Sequence, residues 1–215
     1  MNIILIDDHR IIREGIRSLL EQQPDMFVIG EADDGREGIA LVRQLRPDIV
    51  VMDITMPRLN GIDATRHILA ENRAPKVIAL SMHAHRHLVQ GILREGASGY
   101  LLKECAFDEL VHALRVVVER GQIYLSPGIA NVVVHGFLHK ADREDATGGV
   151  PALTSREREI LQLVVEGNSN DQVGRLLNMS GRTVEKHRAQ IMGKLKVDGL
   201  VGLVRYAIRE GLTTP

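Results

Sequence analysis

The sequence predicts an α/β fold, a doubly wound five-stranded parallel sheet, followed by a smaller all-α domain of four helices. Three observations carry that prediction. Five short apolar runs, at Ile3–Ile6, Phe27–Ala32, Ile49–Met52, Lys76–Ser81 and Ser98–Lys103, alternate with segments of helical period. After residue 151 such runs stop, and four short helical patterns with tight turns follow. Charge divides along the same line. Residues 1–125 carry 15 Lys/Arg against 18 Asp/Glu, residues 126–150 carry 2 against 3, and residues 151–215 carry 10 against 7. An acidic first part and a basic last part point to separate partners, the second a polyanion.

The chain of 215 residues has room for two cores. A hydrophobic share of 44% and a charged share of 26% are ordinary for a globular protein, whereas 3% aromatics and no Trp require aliphatic packing. Cys105 is the only cysteine, which excludes an intramolecular disulfide and fits a reducing compartment. For such a residue an inert thiol is commoner than a redox sensor. No leader pattern precedes the first strand and no apolar run nears the length of a membrane span. A cytoplasmic location with no membrane partner is therefore expected.

Each element has its own signal. Ile3–Ile6 is a buried strand stopping at Asp7-Asp8-His9-Arg10, and Ile12, Ile16, Leu19 and Leu20 mark the helix behind it. After the second strand Asp34 caps a helix with Ile39, Val42 and Leu45 inward, closing before Pro47. The central strand Ile49–Met52 ends on Asp53, and the chain turns through Pro57 and Asn60-Gly61 into a helix with Ile62, Thr65, Ile68 and Leu69 inward. The fourth strand leads to a helix carrying Leu88, Ile92 and Leu93, which Gly96 stops. The fifth leads to a helix from Phe107 to Glu119 with Leu110, Leu114, Val117 and Val118 inward.

In this topology the carboxyl ends of strands one, three, four and five converge, and they present Asp7, Asp8, Asp53, Ser81 and Lys103. An isolated aspartate there reads as a turn residue. Three gathered together require a hard cation, and oxygen donors favour Mg²⁺. Two carboxylates stand where a nucleotide-binding fold has its glycines, so no flavin or dinucleotide is expected. Asp53 as nucleophile, Lys103 as countercharge and Ser81 as hydroxyl donor are the equipment of phosphoryl transfer. His83, His85 and His87 read as surface residues of the following loop and helix.

These residues carry a resemblance. Residues 1–121 resemble the receiver domain of bacterial two-component response regulators, a flavodoxin-like sheet of order 2-1-3-4-5. The resemblance implies that Asp53 accepts a phosphoryl group from a sensor histidine kinase. It implies that Asp8, Asp53 and the Thr55 carbonyl bind Mg²⁺, with Asp7 acting through water, and that Lys103 pairs with the phosphate. Ser81 and Tyr100 match the switch pair, Tyr100 turning inward as Ser81 moves. Met56-Pro57 and Gly61 match the family loop, whereas Glu104 stands where many receivers have the proline on which a cis peptide rests.

Residues 122–150 read as a linker. Ile129, Val132, Val133, Phe137 and Leu138 predict a linker helix, and Lys140 to Pro151 reads as a charged, Gly-rich tether. In 151–215, Thr154-Ser155-Arg156-Glu157 is a capping box, Ser169 opens a second helix, Ser180 caps a third over Gly181–Leu195, and Asp198 caps a fourth. On the third, Val184, His187, Ile191 and Leu195 share the core side. Arg182, Glu185, Lys186, Ala189 and Gly193 lie opposite, flanked by Thr183, Arg188, Gln190, Lys194 and Lys196. Composition leaves two readings of that stripe, a solvated face or a nucleic-acid contact. The runs Leu153–Glu159, Glu166–Asn170, Thr183–Arg188 and Lys194-Leu195 resemble the LuxR-type helix-turn-helix, with Gly174 and Gly193 as departures costing up to ~1 kcal/mol each. With the receiver, nearly the whole chain resembles a NarL/FixJ-type response regulator. That implies promoter DNA and RNA polymerase as partners, and a homodimer formed on phosphorylation or DNA binding.

Two other functions fit parts of the pattern. A phosphohydrolase of the haloacid-dehalogenase type needs an acid/base Asp two residues after the nucleophile, where Thr55 stands, so only self-phosphorylation and slow self-dephosphorylation are expected. A phosphorylation-independent DNA-binding regulator would have no need of the intact acidic pair, Asp53, Ser81 and Lys103.

Overall fold

The computed structural model describes residues 1–138 and 153–213. The chain forms two compact units, Met1–Leu138 and His139–Pro215. In the first, β1 (Asn2–Ile6), β2 (Phe27–Ala32), β3 (Ile49–Asp53), β4 (Lys76–Ser81) and β5 (Gly99–Leu102) alternate with α1 (Arg10–Glu21), α2 (Gly35–Leu45), α3 (Gly61–Leu69), α4 (Arg86–Arg94) and α5 (Ala106–Glu119). Every strand pairing is parallel. The order is β2-β1-β3-β4-β5-β6, one strand more than the five expected.

The extra strand, β6 (Tyr124–Leu125), is too short to show a period of its own. It is fixed by main-chain bonds, Tyr124 N to Ser98 O and Ser126 N to Tyr100 O, both 3.0 Å. The helix after it, α6 (Pro127–Leu138), buries Ile129 in the sheet core and packs on α4. The boundary expected at residue 121 therefore moves to the end of α6, because residues 122–138 complete the sheet and its covering layer. The tether expected at 140–151 lies outside the described residues.

Burial follows the pleat. Ile4, Ile6, Val50, Met52, Val77 and Ala79 face one core, shared with α2, α3, α4 and α6. Ile3, Leu5, Ile49, Val51, Ile78 and Leu80 face the other, shared with α1 and α5. Apart from Ala79, each such side chain contributes roughly 1.5–3 kcal/mol on burial. Asp34 accepts from the Arg36 and Glu37 amides and Asn60 from the Asp63 amide, so α2 and α3 start at fixed points beside the β1 and β3 ends. Gly96, at φ 99°, ends α4 as its position suggests. The β3–α3 loop closes so tightly that a Cβ on Gly61 would lie 2.0 Å from the Asp53 carbonyl oxygen.

The second unit has α7 (Ser155–Val165), α8 (Asn170–Leu177), α9 (Gly181–Leu195) and α10 (Gly199–Arg209). Capping boxes start α7 and α8, and Ser180 caps α9. Asp198, expected to cap α10, makes no side-chain cap bond. Ile160, Leu161, Val173, Leu177, Val184, Ile191, Leu195 and Leu203 form the core. His187, expected on the core side, is half-buried, its Nδ1 buried and without a hydrogen-bond partner among the described residues.

The two glycine departures separate physically. Among the described residues a Cβ on Gly193 would meet nothing within 4 Å, whereas one on Gly174 would lie 2.6 Å from the Met179 carbonyl oxygen, where the α8–α9 turn folds against the helix. Gly193→Ala is expected to stabilise this unit by up to ~1 kcal/mol, the gain in helix propensity. Gly174→Ala is expected to destabilise it despite the same gain. Urea unfolding of the full-length variants, followed through this unit's transition, checks both signs.

Candidate functional site

Four strand ends build the pocket. Asp7 and Asp8 follow β1, Asp53 ends β3, Ser81 ends β4 and Lys103 follows β5. Asp7, Asp53, Ser81 and Lys103 are all buried, at 3%, 3%, 2% and 5% exposure, whereas Asp8 stands at the mouth. Lys103 Nζ donates to Asp53 Oδ2 at 2.7 Å and forms an ion pair with Asp7 Oδ2 at 2.8 Å. Thr55 N donates to Asp53 Oδ1 at 3.2 Å, and His9 N donates to Asp7 Oδ1 at 2.8 Å. The structure thus brings together Asp7, Asp8, Asp53, Thr55, Ser81 and Lys103, all named from the sequence.

Tyr100 is fully buried at the inward position. Its hydroxyl donates to the His83 carbonyl at 2.7 Å, and His83 N donates to Ser81 Oγ at 3.1 Å. Burial pushes the Tyr100 hydroxyl up to about 12, with the Ser81 hydroxyl opposing and the Asp53 charge adding. The imidazoles of His83, His85 and His87 are exposed, as expected of surface residues. They do not follow helical spacing, since α4 begins only at Arg86: the rings neighbour one another in chain order, with centroids 5.1 and 5.6 Å apart.

Two residues at the site escaped the sequence reading. His9 Nδ1 lies 2.9 Å from Asp8 Oδ1 and 3.3 Å from Asp7 Oδ1. Its signal was its place directly after the acidic pair. Arg58, at φ 66°, pairs with Asp33 at 2.9 Å and Asp34 at 2.6 Å, tying the β3–α3 loop to the β2–α2 loop. Nothing in the sequence predicts that pairing, because it joins two loops by their tertiary placement.

The donor set fits a hard divalent cation. Carboxylate oxygens of Asp7, Asp8 and Asp53 and a ring nitrogen of His9 lie within 4.8 Å of one another. Asp7 Oδ2 is buried, with the Lys103 ammonium 2.8 Å away as its ion-pair partner. Three carboxylates gather beside one lysine. Burial pushes the Asp53 carboxyl up to about 7, Asp7 adding to the rise while Lys103 opposes it.

The second unit presents Arg182, Thr183, Glu185, Lys186, Ala189, Gln190 and Gly193 as an exposed face of α9. Two other residues named for that face are engaged within the protein. Arg188 Nη1 donates to Asn170 Oδ1 at 2.8 Å, and Lys194 Nζ lies 2.7 Å from Glu157 Oε1. Burial opposes ionisation of Glu157, yet Lys194 and the Thr154 donors hold its carboxyl below the usual range.

The raised Asp53 sets a pH dependence. The unfolded carboxyl titrates at 3.8 and the folded one at about 7, so the folded chain binds more protons between those values. Stability from this group therefore falls as pH rises through that window and is flat above it. In EDTA, Asp53→Asn is expected to unfold at higher urea than the parent at pH 8, by about 1–2 kcal/mol, with the difference vanishing near pH 4. Urea titrations across pH check the sign.

Comparison with known proteins agrees with this geometry. The family model described as response regulator receiver domain matches residues 3–115, and that for bacterial regulatory proteins of the luxR family matches residues 151–207. Receiver domains bind Mg²⁺ at an acidic pocket of this kind. The transcriptional regulatory protein DegU of Brevibacillus brevis is 34% identical over 223 residues, covering 98% of this chain and 94% of that protein. RcsB from Salmonella enterica serovar Typhimurium, bound to a promoter with the phosphomimetic BeF3−, is 25% identical with a TM-score of 0.61, over 97% of this chain and 98% of that one. A structure of two RcsB dimers on two parallel DNAs is likewise 25% identical, with a TM-score of 0.59 over 97% and 98%. The chain therefore belongs to the NarL/FixJ-type two-component response regulators, DNA-binding transcriptional regulators that join a receiver domain to a LuxR-type helix-turn-helix.

Proposed function

We propose that this protein is switched by phosphorylation of Asp53 and that the phosphorylated form pairs on promoter DNA, where it acts on RNA polymerase. The observation that carries the reading is the buried Asp53 carboxylate with Lys103 Nζ 2.7 Å away and the Asp7–Asp8 pair beside it. An Asp53 oxygen attacks the phosphorus of a kinase phosphohistidine. A P–O bond forms, the P–N bond breaks, and the departing imidazole nitrogen takes up a proton. Lys103 turns from the carboxylates toward the new phosphoryl oxygens, and Ser81 supplies a hydroxyl donor. Asp7, Asp8, Asp53 and the Thr55 carbonyl are the residues to hold Mg²⁺, which when bound offsets the negative charge of the carboxylates and phosphoryl oxygens. Hydrolysis of the acyl phosphate by water returns the protein to its resting state.

The switch is read through His83, whose main chain bonds both Ser81 and Tyr100. A Ser81 hydroxyl drawn to the phosphoryl group gives up the His83 amide and releases the β4–α4 loop. Two copies on paired half-sites gain by effective concentration what one copy lacks, and RcsB dimers on DNA supply the precedent. On the DNA side, Arg182 and Lys186 reach the groove and Ala189 and Gly193 allow close approach. Thr183, Glu185 and Gln190 complete the contact face, with Arg188 and Lys194 at its margin.

Acetyl phosphate with Mg²⁺ is expected to add one phosphoryl group by intact mass, and Asp53→Asn or EDTA to abolish it. Phosphorylation is expected to tighten promoter binding in gel shifts. Equal binding by Asp53→Asn and phosphorylated protein would instead establish a phosphorylation-independent regulator. Lys186→Ala is expected to weaken binding roughly tenfold and to lower the slope of log affinity against log salt by about one.

A further inference from the structure

The amino ends of β3 and β4 carry a second concave site, at the edge of the sheet opposite Asp53. There the end of α2 at Leu45 and the segment between α3 and β4 enclose a cavity of about 390 Å³. Val42 and Pro75, both buried, line it together with three arginines, Arg43, Arg46 and Arg73, and Asn72. One carboxylate lines the cavity, Glu71, and Arg43 holds it at 2.8 Å, spanning α2 and the post-α3 segment. Arg46 and Arg73 have no side-chain hydrogen bond or ion pair among the described residues, so two guanidinium forks stand uncompensated at one concavity.

Their backbones point the same way. Arg46 has φ 48° and Arg73 φ 62°, left-handed conformations that disfavour any residue with a Cβ. At the end of α2 glycine is the ordinary choice for such a position. A cation at a helix C-terminus offsets the dipole, which accounts for Arg46. It does not account for Arg73, which lies beyond the last turn of α3, ending at Leu69. Two arginines at strained positions facing one cavity, neither with a partner, are the pattern of local cost kept for binding.

We propose that this cavity binds a small phosphorylated metabolite. Its phosphate or pyrophosphate group is held by the Arg46 and Arg73 guanidiniums, and its apolar part rests on Val42 and Pro75. Planar guanidinium forks match phosphate oxygens two at a time, and a volume of this size falls within the small-molecule range of roughly 300–1,000 Å³. The Arg43–Glu71 pair shapes the wall and cancels the one charge that would repel an anion.

The test titrates ¹⁵N-labelled full-length protein in EDTA with pyrophosphate and, separately, AMP. Expected are saturable amide shifts over residues 42–46 and 71–76 with both probes. The Arg46→Gly, Arg73→Gly double variant is expected to lose affinity at least about tenfold while its thermal midpoint stays level or rises, because glycine suits both positions. A parallel Arg182→Gln, Lys186→Gln variant is expected to keep the shifts. Shifts confined to the Asp53 pocket or to α9, or no saturable shift with either probe, would overturn the proposal. A lower midpoint in the glycine variant would mark the arginines as structural and also overturn it. Arg46→Gln with Arg73→Gln, which keeps each Cβ and removes the charge, is expected to show the same loss of affinity, and undiminished affinity in it would overturn the proposal.

Discussion

One lysine holds two buried carboxylates, and the rest of the receiver is arranged around that imbalance. Lys103 Nζ stands 2.7 Å from Asp53 and 2.8 Å from Asp7 inside a shell of aliphatic side chains. A single cation cannot neutralise both, and Asp8 brings a third charge to the mouth. Burial raises the proton affinity of Asp53, with Asp7 adding to the rise and Lys103 opposing it, and the gathered carboxylates make the pocket receptive to a further cation. Such a site is maintained only if the backbone fixes every donor. The strand ends, the caps at Asp34 and Asn60, and the tight turn at Gly61 do this.

Much of the receiver was legible because its signals are local. Apolar runs of four to six residues marked the first five strands, and cap residues marked the starts of α2, α7, α8 and α9. The pocket followed from topology, since parallel strands must deliver their carboxyl ends to one edge. What the sequence hid depends on tertiary placement. Two residues, Tyr124 and Leu125, carry no period, and only the exposed edge of β5 makes them a strand. Arg58 acquires its partners only once two separate loops are brought together. Asp198 shows the opposite error, an apt residue whose side chain makes no cap bond.

The helix-turn-helix unit divides its charges between two tasks. Lys194 secures α9 to the capping box of α7 through Glu157, and Arg188 reaches across to Asn170 in α8. These bonds orient the exposed stripe of α9 without belonging to it. A helical projection cannot separate the two groups, because the residue types are alike and differ only in what lies within reach. Gly174 extends the point. Read as a lapse in helix propensity, it is the place where the turn between α8 and α9 needs the missing methyl group.

The peptide of His83 gives its amide to Ser81 and its carbonyl to Tyr100. One residue's backbone thus ties together the two side chains that sit nearest the strand-end pocket. Substitutions at 81 and 100 should consequently behave as one perturbation, their effects failing to sum. The imidazole itself is a bystander, and position 83 can drift among side chains provided it never becomes proline, whose nitrogen has no hydrogen to offer.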